Sequence, residues 1–168
     1  MKHQLEPPSF FKSVSLAALL AAALNANQAA AQPLRGYWLG PDRNSSEMAL
    51  SFIMPEYSPN EFAVIAMHCS PRDHTIKVYL DTYDETRPKQ PSIPLLLDGE
   101  RFNLPGKSEW NEMNETWLVE ATVSYGSPAA VALRAARQIG VDGDPKTRSL
   151  PKDRLETALN IWLQRCKL

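Results

Sequence analysis

The residues with the greatest chemical capacity lie in one short stretch. His68, Cys69, Asp73 and His74 bring a thiol, two imidazoles and a carboxylate close together in the chain. A Cys–His pair can generate an activated thiolate nucleophile, and two imidazoles beside a carboxylate can hold a divalent metal. Neighbouring residues on a strand point to opposite faces, so His68 and Cys69 should diverge. His68, Asp73 and His74 then remain as a weak metal group across a turn, against the expectation of an edge histidine and a turn histidine, both solvated or locally hydrogen-bonded. Serine hydrolysis has less to draw on. There is no Gly-x-Ser-x-Gly sequence, and beyond residue 31 only His68 and His74 are available as a triad base.

A second group is Glu109, Glu112 and Glu115, spaced by three, near Trp110 and Trp117. Paired carboxylates serve glycoside hydrolysis, and tryptophans beside them suggest sugar contact. The competing expectation is an acidic loop between strands with Trp117 in the core. Tyr37, Trp38, Tyr57, Tyr79, Tyr83 and Tyr125 supply either core packing or an exposed aromatic patch of the kind used against a protein partner. Asn44-Ser45-Ser46 and Asn114-Glu115-Thr116 match the glycosylation acceptor pattern, which has meaning only in a eukaryotic secretory route.

The first residues predict where this chemistry would operate. Lys2, His3 and Lys12 precede the uncharged apolar run Val14 to Leu24, and Ala29-Ala30-Ala31 follows a small polar stretch. This is the layout of a secretory signal peptide, predicted to be cleaved after Ala31. At 1.5 Å per residue the run reaches about 17 Å, roughly half of a ~30 Å hydrocarbon core, which argues against a membrane anchor. No later segment is long and apolar enough to span a bilayer. The expected organisation is a cleavable leader over 1–31 and one domain over 32–168, in a periplasmic or secreted setting.

In an exported chain a pair of cysteines favours a disulfide. Cys69 and Cys166 are the only two present. A bridge between them would join a central strand to the last helix. Redox catalysis is disfavoured because the Cys-x-x-Cys spacing is absent, and two cysteines exclude a cysteine-only zinc site. Of the 168 residues, 43% are hydrophobic and 22% charged, ordinary globular proportions that exclude a disordered or fibrous chain. A formal net charge of −1 gives no electrostatic case for nucleic acid. With only 7 glycines against 14 prolines, a phosphate-cradling glycine loop is disfavoured and rigid turns are expected.

The positioning elements follow from periodicity. Period-two alternation predicts strands over Glu47 to Met54, Thr75 to Asp81 and Thr116 to Ser124. The apolar run Phe62 to Cys69 suits a central strand covered on both faces. Shorter strands are expected at Arg35 to Leu39, Ile93 to Leu97, Arg101 to Leu104 and Ile139 to Val141. The stretch Asp84 to Pro94 has no periodicity and predicts a loop or edge. Ser127-Pro128 is a helix start, an N-cap followed by proline, and predicts a helix over Ala129 to Gln138. Leu155, Leu159, Trp162 and Cys166 form the apolar stripe of a final amphipathic helix, from Pro151 or Asp153 to about Lys167. The expected fold class is α+β: an antiparallel sheet or small sandwich followed by two helices, with the C-terminal one packed on the sheet.

The succession of Phe62 to Cys69, Thr75 to Asp81, Thr116 to Ser124 and Ser149 to Leu163, with Ser149-Leu150 and Ala158-Leu159 near the end, resembles the invasion-associated locus B family of small exported bacterial proteins. The family's Gly-Phe before the last helix and its additional cysteines are absent. The resemblance implies a periplasmic setting and a β-rich fold, and it carries over no catalytic residue. The functional expectation is a small exported, non-enzymatic protein that binds or stabilises a protein or other envelope component, with no cofactor, metal or nucleic acid. The alternatives are a hydrolase or thiol-dependent enzyme using His68, Cys69 and His74, and a carbohydrate-binding module.

Overall fold

A computed structural model describes residues 34–41, 48–54, 63–82, 86–112 and 115–168. The expected leader, the acceptor asparagines Asn44 and Asn114, and Tyr57 and Tyr83 lie outside the described residues. Strands β1 (Tyr37–Leu39), β2 (Ala49–Ile53), β3 (Ala63–Ser70) and β4 (Thr75–Asp81) come first. Then follow β5 (Ser92–Leu97), β6 (Glu100–Asn111) and β7 (Thr116–Ser124). Helix α1 (Pro128–Ala135), strand β8 (Ile139–Val141) and helix α2 (Leu155–Cys166) complete the described chain.

All pairings are antiparallel, in the order β1-β2-β3-β4-β7-β6-β5-β8. The first four strands pair in succession as an antiparallel meander. The chain then crosses to β5, returns by β6 to lay β7 beside β4, and adds β8 outside β5. The result is one β-rich domain built on a curled sheet.

The alternation in β3, β4 and β7 decides its faces. Met67, Val78 and Ala121 are paired across three strands and buried, while His68, Lys77 and Thr122 occupy the opposite face. Leu50, Phe52, Ile65, Ile76 and Val119 extend the apolar side. Ile93, Leu95, Leu97, Leu104, Ile139 and Val141 supply it from the other half of the sheet, all in one buried cluster with Leu133, Leu159 and Trp162. At about 25 cal/mol per Å² of apolar surface, such burial is the main favourable term in the fold.

Strand β6 departs from expectation. A strand was expected to end at Leu104, before Pro105-Gly106, with an acidic loop after it. It runs instead to Asn111. Its first half pairs with β5 up to Ser92↔Pro105, and its second half pairs with β7 from Gly106↔Ala121. Proline has no amide to donate, and here it falls where the strand exchanges one partner for the other. Gly106 is required on the far side of that exchange, because a Cβ there would collide with the Glu120 carbonyl oxygen.

Helix α1 starts as expected. The Ala130 amide donates to Ser127 Oγ at 3.2 Å and proline sits in the first turn. It stops at Ala135 rather than Gln138, because Ala136 is extended at φ −65°, ψ 129°. Helix α2 begins at Leu155, later than expected, behind Arg154 in the left-handed region at φ 60°. The carbonyls of Pro151 and Asp153 instead accept from Trp38, its Nε1 at 2.9 Å and its amide at 3.0 Å. Trp162 Nε1 donates to the Met48 carbonyl at 2.8 Å. Trp38 and Trp162 are fully buried with their indole donors satisfied, the condition on which a tryptophan tolerates a core.

Candidate binding surface

The end of β3 carries His68 and Cys69 on opposite faces, as alternation requires. The ring of His68 stands edge-on to Tyr79, with centroids 5.4 Å apart. Its strand lies between β2 and β4, so the histidine is on an inner strand and not at an edge. Cys69 is buried at disulfide-bonding distance from Cys166, with Cα atoms 5.8 Å apart, inside the range a bridge spans. A bridged sulfur is not a nucleophile.

Asp73 Oδ2 accepts from Ser70 Oγ at 2.6 Å. The exposed His74 has a positive φ of 52°, its carbonyl accepts from the Tyr125 amide at 2.8 Å, and its ring meets Tyr125 edge-on. Both residues therefore shape the turn. Among the described residues no three His, Cys, Asp or Glu side chains are grouped to hold a metal.

The second candidate group is drawn together differently from the expected loop. Trp110 on β6 and Trp117 on β7 are directly paired, with ring centroids 5.4 Å apart in an edge-to-face arrangement. They continue the inward row Gly106, Ser108 and Ala121, Val119, but at the end of the sheet. Trp117 is half-buried and Trp110 is 44% exposed, so Trp117 is not the core residue expected of it. The Arg87 guanidinium lies 5.2 Å from the Trp117 ring centre and its Nε donates to Ser108 Oγ at 3.2 Å. A cation over an indole face is attracted by the ring quadrupole, and the hydrogen bond fixes it there. Beside this stack runs a cleft of about 560 Å³ whose lining includes Arg87, Lys89, Lys107, Ser108 and Glu109. Glu109 belongs to the opposite side of β6 from Trp110, and Glu112 and Glu115 are exposed in the β6–β7 turn region.

Sequence reasoning missed Arg87, because its stretch has no periodicity and only the fold brings it to Trp117. It also missed a polar cluster on the outer face. Lys77 Nζ lies 2.9 Å from Glu120 Oε1, and Tyr79 is paired across from Glu120. Burial, then the Glu120 charge, push the Tyr79 phenol above its usual value. The hydrogen bond to Glu120 raises Lys77. Alternation had put these residues on polar faces, but not which strands would be neighbours.

No helix of the described residues is long and apolar enough to cross a membrane. Comparison with protein-family models, with curated proteins and with solved structures finds no match.

Proposed function

We propose that the chain is a small exported, non-enzymatic binding protein of the cell envelope. In this reading residues 1–31 are removed on export and Cys69 and Cys166 bridge in the oxidising compartment. Helix α2 is held on the sheet by that bridge and by Trp162. The Trp110–Trp117–Arg87 end meets the partner. The exposure of Trp110 within a fixed aromatic and cationic stack is the observation that carries the proposal. Large rigid aromatics and arginine contribute most to protein contacts, and an ordered side chain loses little entropy on binding. The resemblance to the invasion-associated locus B family is consistent with the same setting.

A photocrosslinking amino acid at position 110, compared with one at Val131, tests it. Val131 is 54% exposed on α1 and serves as the control surface. In envelope preparations a discrete adduct is expected at 110 and none at 131. Adducts of equal yield at both positions, or at neither, would contradict the reading.

A carbohydrate-binding module is the second reading. The cleft offers the donors and acceptors of Arg87, Lys107, Ser108 and Glu109 beside an exposed indole. It predicts that envelope glycan fragments change tryptophan fluorescence in the native protein and not in Trp110→Ala.

A further inference from the structure

The two helices frame a feature that the Trp110 surface does not use. Helix α1 ends at Ala135 and α2 starts at Leu155. Between them lies a groove of about 560 Å³. Its lining includes the apolar Ala136, Leu155 and Leu159, all buried. Its charged residues are Arg134, Arg137 and Lys152 against a single carboxylate, Glu156.

The three cations differ in what they already do. Arg134 is committed, since its Nη2 donates to the Tyr125 carbonyl at 2.8 Å. Arg137 is held by its backbone, the amide donating to Asp98 Oδ1 at 2.9 Å, while its guanidinium has no ion pair or hydrogen bond among the described residues. The Lys152 ammonium has none either. The start of α2 adds positive potential, because Arg154 gives the helix no side-chain cap and the first-turn amides carry the positive end of its dipole.

We propose that this groove binds an organic anion with an apolar body, its phosphate end held by Arg137 and Lys152 and its alkyl portion laid over Ala136, Leu155 and Leu159. The volume is that of an ordinary small-molecule site. An arginine fork takes two phosphate oxygens and a lysine ammonium a third. The proposal rests on the placement of α2 given above, and nothing in it depends on Trp110.

The test is calorimetric titration of the protein as purified, under oxidising conditions, with decyl phosphate below its micelle concentration. Binding at one site is expected, at least tenfold tighter than for inorganic phosphate and absent for neutral decyl maltoside. Arg137→Gln and Lys152→Gln should each weaken it about tenfold, and Glu156→Gln should tighten it a few-fold. Val131→Ala, outside the groove, should change nothing.

Equal binding of the neutral detergent, or unchanged affinity in both charge variants, overturns the proposal. Phosphatidylglycerol vesicles separate a lipid headgroup from a free ligand. Binding to vesicles and to decyl phosphate, lost in the same variants, supports the groove, whereas binding to vesicles alone overturns it. Mapping the Cys69–Cys166 bridge by non-reducing peptide analysis reports on α2 separately. A formed bridge with no titration defeats the groove alone, and an absent bridge together with no titration defeats the helix placement and the groove with it.

Discussion

Tyr125 shows how much one side chain at a turn can join. Its ring is buried, its hydroxyl donates to the Cys166 carbonyl at 3.0 Å, and its own amide and carbonyl engage His74 and Arg134. The end of β7, the turn after β3, the last turn of α1 and the last turn of α2 thus meet on one residue. Replacing the phenol by phenyl keeps the packing and removes one buried hydrogen bond. Tyr125→Phe should lower the free energy of unfolding by about 1 kcal/mol in urea titrations. A change below 0.3 kcal/mol would mean that the Cys166 carbonyl does not depend on this hydroxyl. Burial also pushes the Tyr125 phenol above its usual value of 10.0, outweighing the lowering by Arg134, and Tyr79 moves the same way. The unfolded chain therefore loses these protons first. The stabilisation is complete below about pH 10 and is lost as pH rises through the folded values. Urea midpoints measured between pH 8 and 11 should fall above pH 10, and the fall should be shallower in Tyr125→Phe.

Strand β6 marks the limit of what local pattern reveals about the elements. Strands β3, β4 and β7 and the start of α1 were legible because period two, or Ser-Pro capping, acts within a few residues. The same alternation does continue through β6 as Phe102, Leu104, Gly106, Ser108 and Trp110, but a proline in the row reads as a stop. What permits Pro105 is the change of partner there, a property of the assembled sheet. Trp110 and Trp117 were legible as a suggestive pair, and their register was not. Helix α2 was visible from its apolar stripe, yet it starts at Leu155 and not at Pro151 or Asp153, whose carbonyls accept from Trp38. Gly106 offers a direct check on the exchange point. Gly106→Ala should cost about 1–3 kcal/mol by forcing its Cβ against the Glu120 carbonyl. Gly126→Ala, with open space around the new methyl, should stay within about 0.5 kcal/mol of the native value. Equal effects of the two in chemical denaturation would show that β6 does not pass so close to β7.

At the scale of the whole molecule, the outer strands are already engaged. The Trp38 amide of β1 donates to the Asp153 carbonyl, while the Val141 amide donates to the Thr147 carbonyl and the Leu150 amide to the Ile139 carbonyl, closing the chain after β8 back onto it. Those amides are spent inside the domain and not offered to a partner strand, which directs attention to side-chain surfaces such as Trp110. The cysteine pair carries the largest single effect expected in the fold. A bridge from Cys69 to Cys166 spans 97 residues, so it withdraws most of the domain's length from free rearrangement in the unfolded chain. For a loop of that length the chain-entropy model gives about 4–5 kcal/mol as an upper figure. Both sulfurs are buried among apolar neighbours, where thiols or alanines are also tolerated. Reduction should therefore lower stability by about 2–5 kcal/mol without destroying the sheet, and the Cys69→Ala, Cys166→Ala double variant should match the reduced protein. The urea dependence should steepen as well, because an unbridged chain exposes more surface on unfolding. Rapid alkylation of Cys69 in the intact protein without reductant is the outcome that defeats this. It would replace the bridge by a free Cys69 thiol and favour the thiol-dependent enzyme.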